Sequence, residues 1–208
     1  MLRPTIHLIT AGTHTFTELT TIVMSVQEQI DFFHIREKNR TAIELYKGVQ
    51  EIIDAGFPVE RIIINDRGDV AAALGTFGVQ LAHHSLPASV VKKTFPGLSA
   101  GKSVHSLEEA KLAEQEGVDY LLFGHLYLTS SKPGKVGRGL RSLREITRTV
   151  RCPVLGIGGI TPDRAKDVIF SGAQGIAVMS GILQADEPVK AAKAYRKSVE
   201  EGYYEQAL

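Results

Sequence analysis

One cysteine, Cys152, occurs among 208 residues, which excludes an intramolecular disulfide and leaves no thiolate cluster to hold a metal. That usage agrees with a reducing compartment. Charge of one sign is not in excess either: 24 Lys and Arg stand against 23 Asp and Glu, a formal net charge of +1. Such a balance gives no sequence-independent attraction to a polyanion, so no nucleic-acid partner is expected. Long apolar runs are also missing. No stretch approaches the roughly 18 apolar residues that span a bilayer, and the opening MLRPTIHLITAGTHTF lacks the apolar core of a signal peptide. The expectation is a cytoplasmic protein with no membrane partner. No Ser/Pro-rich linker or low-complexity segment divides the chain, so one domain over residues 1–208 is expected.

What is present is a core. Hydrophobic residues make up 43% of the chain, and a chain of this length buries about 70% of the surface it exposes when unfolded. Short apolar runs alternate with longer stretches of helical spacing, the pattern of repeated βα units. Strands are predicted at Thr5 to Thr10, Phe32 to Arg36, Ile62 to Asn65, Gly78 to Leu81, Ser99 to Ser103, Tyr120 to Gly124, Val154 to Gly158 and Gly175 to Val178. Helices are predicted at Thr17 to Gln29, Thr41 to Ala55, Asp69 to Leu74, Ala88 to Thr94, Leu107 to Glu116, Leu140 to Val150, Pro162 to Phe170 and Glu187 to Glu201. Ser106 and Glu109 are spaced as a capping box. Thr161 offers a capping hydroxyl before Pro162, and Gly117 and Gly172 are placed to end helices. Eight parallel strands can close, so the predicted fold is a (β/α)8 TIM barrel; GIGGI does not match the dinucleotide fingerprint of an open doubly wound sheet.

In such a barrel the chemistry gathers where strands end. GIGGIT and GIAVMSGI end the last two strands, and Gly158, Gly159, Met179 and Ser180 are candidate main-chain donors to a phosphate. HIREKN, read as extended chain, puts His34, Arg36 and Lys38 on one side. Their cations need an anionic ligand or an acid such as Asp66, which follows Asn65 in INDRGD. His125 sits between the apolar LLFG and the hydroxyl-rich TSSK. His34, His83, His84 and His105 carry no metal-ligand spacing, so no metal is expected from them. Arg141, Arg144, Arg148 and Arg151 read as a solvated face, pairing with Glu108, Glu109, Glu114 and Glu116 of the preceding helix. Cys152 reads as a packed side chain, and EEGYYEQAL could dock on the barrel or join a homo-oligomer.

HIREK, INDRGDVA, GVQL, SVHSLEEA, DYLLFG, TSSK, GIGGIT and GIAVMSGI follow one another as in the thiamin phosphate synthase and TenI family, which the chain resembles nearly end to end. That resemblance implies a (β/α)8 barrel. It further implies one of two activities: magnesium-dependent coupling of a pyrimidine pyrophosphate to a thiazole phosphate, or thiazole tautomerisation. Two departures favour the second. QLAHHSL puts Ser85 where synthases of HLGQED type carry an aspartate ligand for magnesium, and FGH puts His125 where they carry proline. A lone Asp66 would hold magnesium poorly. The expected protein is therefore a cofactor-independent thiazole tautomerase, an isomerase with His125 as general acid and base. Its small-molecule partner is a thiazole phosphate, with Arg36, Lys38, Asn65, Thr129, Ser131, Lys132, Gly159, Met179 and Ser180 as binding residues. The substrate carboxylate goes either to Arg36 and Lys38 or to Thr129 and Ser131. A magnesium-dependent synthase and a non-catalytic thiazole-phosphate sensor are the alternatives.

Overall fold

A computed structural model describes residues 3–129, 131–132 and 134–207, without the side chains of 206 and 207. Met1, Leu2, Ser130 and Leu208 of the stretches quoted above lie outside the described residues. Eight strands alternate with helices: β1 (Thr5–Ile9), α1 (Phe16–Val26), β2 (Phe32–Ile35), α2 (Ala42–Asp54), β3 (Ile62–Asn65), α3 (Gly68–Leu74), β4 (Gly78–Leu81), α4 (Ala88–Thr94), β5 (Ser99–Val104), α5 (Leu107–Gln115), β6 (Tyr120–Gly124), α6 (Gly139–Thr149), β7 (Val154–Ile157), α7 (Pro162–Phe170), β8 (Gly175–Val178), α8 (Ser180–Leu183) and α9 (Pro188–Ala207). All neighbouring strands are parallel, and β8 pairs with β1 to close the barrel. The fold is the expected (β/α)8 barrel.

Two apolar layers hold it. Strand residues pointing outward, among them Ile6, Leu8, Phe33, Ile35, Ile64 and Phe123, bury against the helices. Those pointing inward, Ile9, Ile63, Tyr120, Leu122, Leu155 and Ala177, fill the barrel. This is the two-residue period of a strand with apolar surroundings on both faces.

Local signals are met with some differences. Gly117 and Gly172 take φ of 80° and 94° after their helices, as expected. Reciprocal capping boxes form instead at Thr15 with Glu18 and at Thr41 with Glu44. At α5 the box is displaced: Glu109 N–H donates to Ser106 Oγ (3.1 Å), but the Glu109 carboxylate accepts from His105 N–H (2.7 Å). Thr161 makes no side-chain cap of α7.

No ion pair joins α5 to α6 among the described residues; Glu114 instead accepts the backbone N–H groups of Arg151 and Cys152. Cys152 is half-buried, and burial pushes its thiol up to about 11. The tail extends α9 and packs on α7, where a Cβ on Gly202 would come within 2.7 Å of the Lys166 carbonyl. Among the described residues no helix is long and apolar enough to cross a membrane.

Candidate active site

The strand ends that carry the predicted site residues converge at one mouth. Gly124 of β6 pairs with Ile157 of β7, and beyond the strands Leu126 N–H donates to the Ile157 carbonyl (2.8 Å) and Tyr127 N–H to that of Gly158 (3.0 Å). His125 is thereby zipped against the GIGGI turn. Gly158 and Gly159 have φ of 95° and 66°. A Cβ on Gly158 would lie 2.4 Å from His125 Cβ, and one on Gly159 would lie 2.4 Å from the Leu128 carbonyl. Ile157 of β7 in turn pairs with Ala177 of β8, which brings Gly159 level with Met179. The half-buried Met179 side chain packs on the inner core, and Ser180 opens α8, a four-residue helix too short for its pattern to show in the sequence. His125, Gly158, Gly159, Met179 and Ser180 thus share one sector.

His125 is 6% exposed. Its Nε2 lies 3.3 Å from the Lys135 carbonyl, and its buried Nδ1 has no partner among the described residues. The following loop carries Thr129, whose Oγ1 accepts from Ser131 N–H (3.3 Å), then exposed Ser131 and half-buried Lys132. Burial, then the charges of Lys135, Arg138 and Arg36, lower the Lys132 pKa, with Glu109 opposing. Strands β2 and β6 stand on opposite sides of the closed ring, so Arg36 and Lys132 face each other across the mouth, with Glu37 acting on the first and Glu109 on the second. Lys135 and Arg138 add to the positive charge on the β6 side.

Arg36 follows β2, its backbone N–H donating to Thr10 Oγ1 (2.8 Å), and burial lowers its guanidinium pKa against the opposing effect of Glu37. Residues 36–40 with Ala11 and Gly12 line a cavity of about 310 Å³. Within it the buried Glu37 carboxylate accepts from Gly12 N–H (3.3 Å). The shared face expected of His34, Arg36 and Lys38 does not form. The chain leaves strand geometry after Ile35, Lys38 lies in an exposed turn, and His34 is enclosed in the barrel, where it meets His7 at 2.8 Å. Asn65 ends β3 opposite Gln80.

Nor does Asp66 pair with Arg36 or Lys38. At φ of 62° its carboxylate accepts from Ser85 Oγ (2.5 Å) and lies 3.2 Å from His84 Nε2. Among the described residues no group of three or more His, Cys, Asp or Glu side chains could hold a metal. Ser85 is itself pinned by accepting from Ala82 N–H (2.7 Å). The expectation that a lone Asp66 would hold magnesium poorly counted protein ligands only; these oxygens fit an ion that shares its shell with diphosphate and water, since magnesium is commonly held through one or two carboxylates plus substrate phosphates. They do not make a cage of protein ligands alone.

A sequence profile described as Thiamine monophosphate synthase matches residues 6–182. The chain belongs to that family. Among its relatives in the thiamine monophosphate synthase family, a thiamine-phosphate synthase of Pyrococcus furiosus is 38% identical over 184 residues, covering 86% of this chain and 89% of the relative. One of Natronomonas pharaonis is 36% identical over 206 residues, with 94% of each covered. The solved thiamine phosphate pyrophosphorylase of Pyrococcus furiosus superposes with a TM-score of 0.82 at 32% identity, covering 96% of this chain and 97% of that one.

These names overturn the tautomerase expectation and with it the isomerase assignment: relatives covering most of this chain are synthases. The chain is an enzyme of this family. The step from proline to His125 weighed too heavily in the sequence, where the imidazole's enclosure against Lys135 could not be seen.

Sequence reasoning weighed His105 only as a metal ligand and passed over Arg138. His105 Nδ1 donates to the Gly124 carbonyl (2.7 Å), and Arg138 Nε donates to the same oxygen (3.0 Å). Their sole sequence signal was position: each flanks a predicted helix at its first turn.

Proposed function

We propose that the protein joins a pyrimidine pyrophosphate to a thiazole phosphate. The new carbon–nitrogen bond replaces the carbon–oxygen bond to diphosphate, which leaves with the bonding electron pair. The observation that carries this reading is the cationic face of Arg36, Lys132, Lys135 and Arg138, supported by the synthase names of the relatives. In this reading Arg36, Lys38, Asn65 and Lys132 bind the diphosphate and take up charge as it departs. Main-chain N–H groups of Gly159, Met179 and Ser180 bind the thiazole phosphate, with Thr129 and Ser131 at its edge. His125 packs behind the Gly158 turn that presents these groups.

Asp66 and Ser85 would hold magnesium; bound there, the ion would neutralise charge developing on the leaving diphosphate. With one carboxylate where the resemblance leads one to expect two, more of that neutralisation falls on the lysines and arginines.

The test is incubation of the purified protein with both substrates and magnesium, following thiamin phosphate and released diphosphate by chromatography. Equimolar formation of both is expected. Lys132→Ala should raise KM for the pyrophosphate substrate by roughly tenfold or more. Absence of thiamin phosphate across a range of magnesium concentrations would refute the proposal.

A further inference from the structure

The carbonyl of Gly124 occupies an unusual position. It ends β6 at the root of the loop that carries Thr129, Ser131 and Lys132, and two side chains from different elements donate to it. His105 reaches it from the β5–α5 junction (2.7 Å) and Arg138 from the end of the loop itself (3.0 Å). Each donor is held in turn. The His105 backbone N–H donates to Glu109 of α5 (2.7 Å), and Glu109 N–H donates to Ser106 Oγ (3.1 Å), so the imidazole is placed by the first turn of that helix. Arg138 N–H donates to the His125 carbonyl (2.9 Å), and Gly139 N–H to that of Leu126 (3.0 Å), so the outgoing strand of the loop is laced to the incoming one.

The carbonyl can only accept, so His105 carries its proton on Nδ1 in this contact. Burial lowers the His105 pKa, and either the neutral tautomer or the cation satisfies the bond. A carbonyl has two lone pairs, and both donors can be accommodated.

We propose that His105 and Arg138 are positioning residues that together lock the root of the 125–138 loop and so hold Lys132, Thr129 and Ser131 at the mouth. The clamp consists of these hydrogen bonds; what the loop binds rests on the synthase reading above. Neither side chain needs to touch substrate. Loss of one donor frees the loop root, and a displacement on the order of 1 Å in a binding group is enough to cost a large factor in productive binding.

The experiment compares the full-length protein with His105→Ala, His105→Asn and Arg138→Met. Asparagine places an amide N–H close to the Nδ1 position and restores the donor without the ring. Two readouts are taken: KM and kcat for the pyrophosphate substrate, and the rate of trypsin cleavage after Lys135, which precedes the exposed Val136.

His105→Ala should raise KM roughly tenfold with little change in kcat, speed the Lys135 cleavage several-fold and leave the melting temperature nearly unchanged. His105→Asn should recover most of both effects. Should His105→Ala not fold, Arg138→Met is read by cleavage alone, because it also removes a cation of the binding face: faster cleavage after Lys135 is expected, and a wild-type rate would overturn the clamp. Wild-type cleavage and KM in His105→Ala, or failure of His105→Asn to differ from it, would overturn the clamp. If the wild-type protein forms no thiamin phosphate while the cleavage pattern and its rescue appear as described, the synthase reading fails and the clamp stands.

Discussion

His7 Nδ1 and His34 Nε2 lie 2.8 Å apart inside the barrel, sharing one hydrogen bond in a place sealed from solvent. Thr5 Oγ1 meets the far nitrogen of His7 at 3.1 Å, while His34 Nδ1, Gln80 Oε1 and Tyr120 OH have no partner among the described residues. A cation on either ring would be unsolvated. Burial pushes His7 down to about 3, and burial followed by the nearness of His7 holds His34 well below its ordinary range.

Both rings are therefore neutral in the folded protein across a range where unfolded histidines bind protons. Above pH ~6.5 neither state is protonated and stability is complete; as the pH falls from ~6.5 towards ~3 the unfolded chain gains protons that the folded one refuses. His7 should lower unfolding free energy by about 1.4 kcal/mol per pH unit within that window, and His34 should add to the loss in the same direction. Urea unfolding between pH 7 and 4 should show the loss, and His7→Gln combined with His34→Gln should flatten it. An equal slope in the double variant would show that other groups govern acid sensitivity.

At the opposite end of the barrel, Arg196 of α9 donates to Asp31 Oδ2 (2.6 Å), to the Gln29 carbonyl (2.8 Å) and to that of Pro4 (3.3 Å). Asp31 Oδ2 also accepts from Ile6 N–H (2.7 Å). The arginine side chain is 7% exposed and the aspartate 29%. Asp31→Ala should cost about 2–4 kcal/mol, because it strands a buried guanidinium and a strand N–H together. Calorimetry should show a lower melting temperature with KM unchanged, since this is the face of the barrel remote from chemistry. A changed KM would contradict that separation.

Gly158→Ala should act at the mouth. Its φ of 95° strains any L side chain, and the new Cβ would press on His125 Cβ at 2.4 Å. We expect roughly 1–3 kcal/mol of destabilisation and a larger loss of kcat/KM. Gly75→Ala is the control, with φ of 66° and nothing within 4 Å of the added carbon; it should cost about 1 kcal/mol and spare activity. Equal kinetic effects from the two would dismiss the contact with His125.

Ser85→Asp tests the single-carboxylate magnesium reading. Because Ser85 Oγ already lies 2.5 Å from Asp66 Oδ1, a second carboxylate would be repelled by the first unless a cation joined them. Thermal stability should fall without magnesium and recover with it, and the magnesium concentration for half-maximal coupling should drop at least several-fold. A variant indifferent to magnesium in both measurements would remove Asp66 from the site.

Much of the local chemistry depends on which atoms fill a space. Apolar runs of four to six residues and glycine stops marked the strands because the barrel buries both faces of each, and that requirement is written along a few consecutive residues. The four residues of α8 left no period to read. HIREKN alternated correctly, yet alternation says which side a residue takes and nothing of depth: His34 belongs to the barrel interior, and Lys38 to a turn beyond the strand.

Asp66 met Ser85 and His84 because the β3 and β4 ends are neighbours in the closed sheet. His105 and Arg138 met at Gly124 across separations of 19 and 14 residues, for which no linear spacing rule exists.

The barrel and the family could be read before any coordinates, because hydrophobic period and motif order are properties of the chain taken in line. Tertiary structure alone decided which donors share an oxygen, which imidazoles lose their protons and how the cations of β2 and β6 confront one another. Those depend on distances and burial that exist only once the eighth strand has closed on the first.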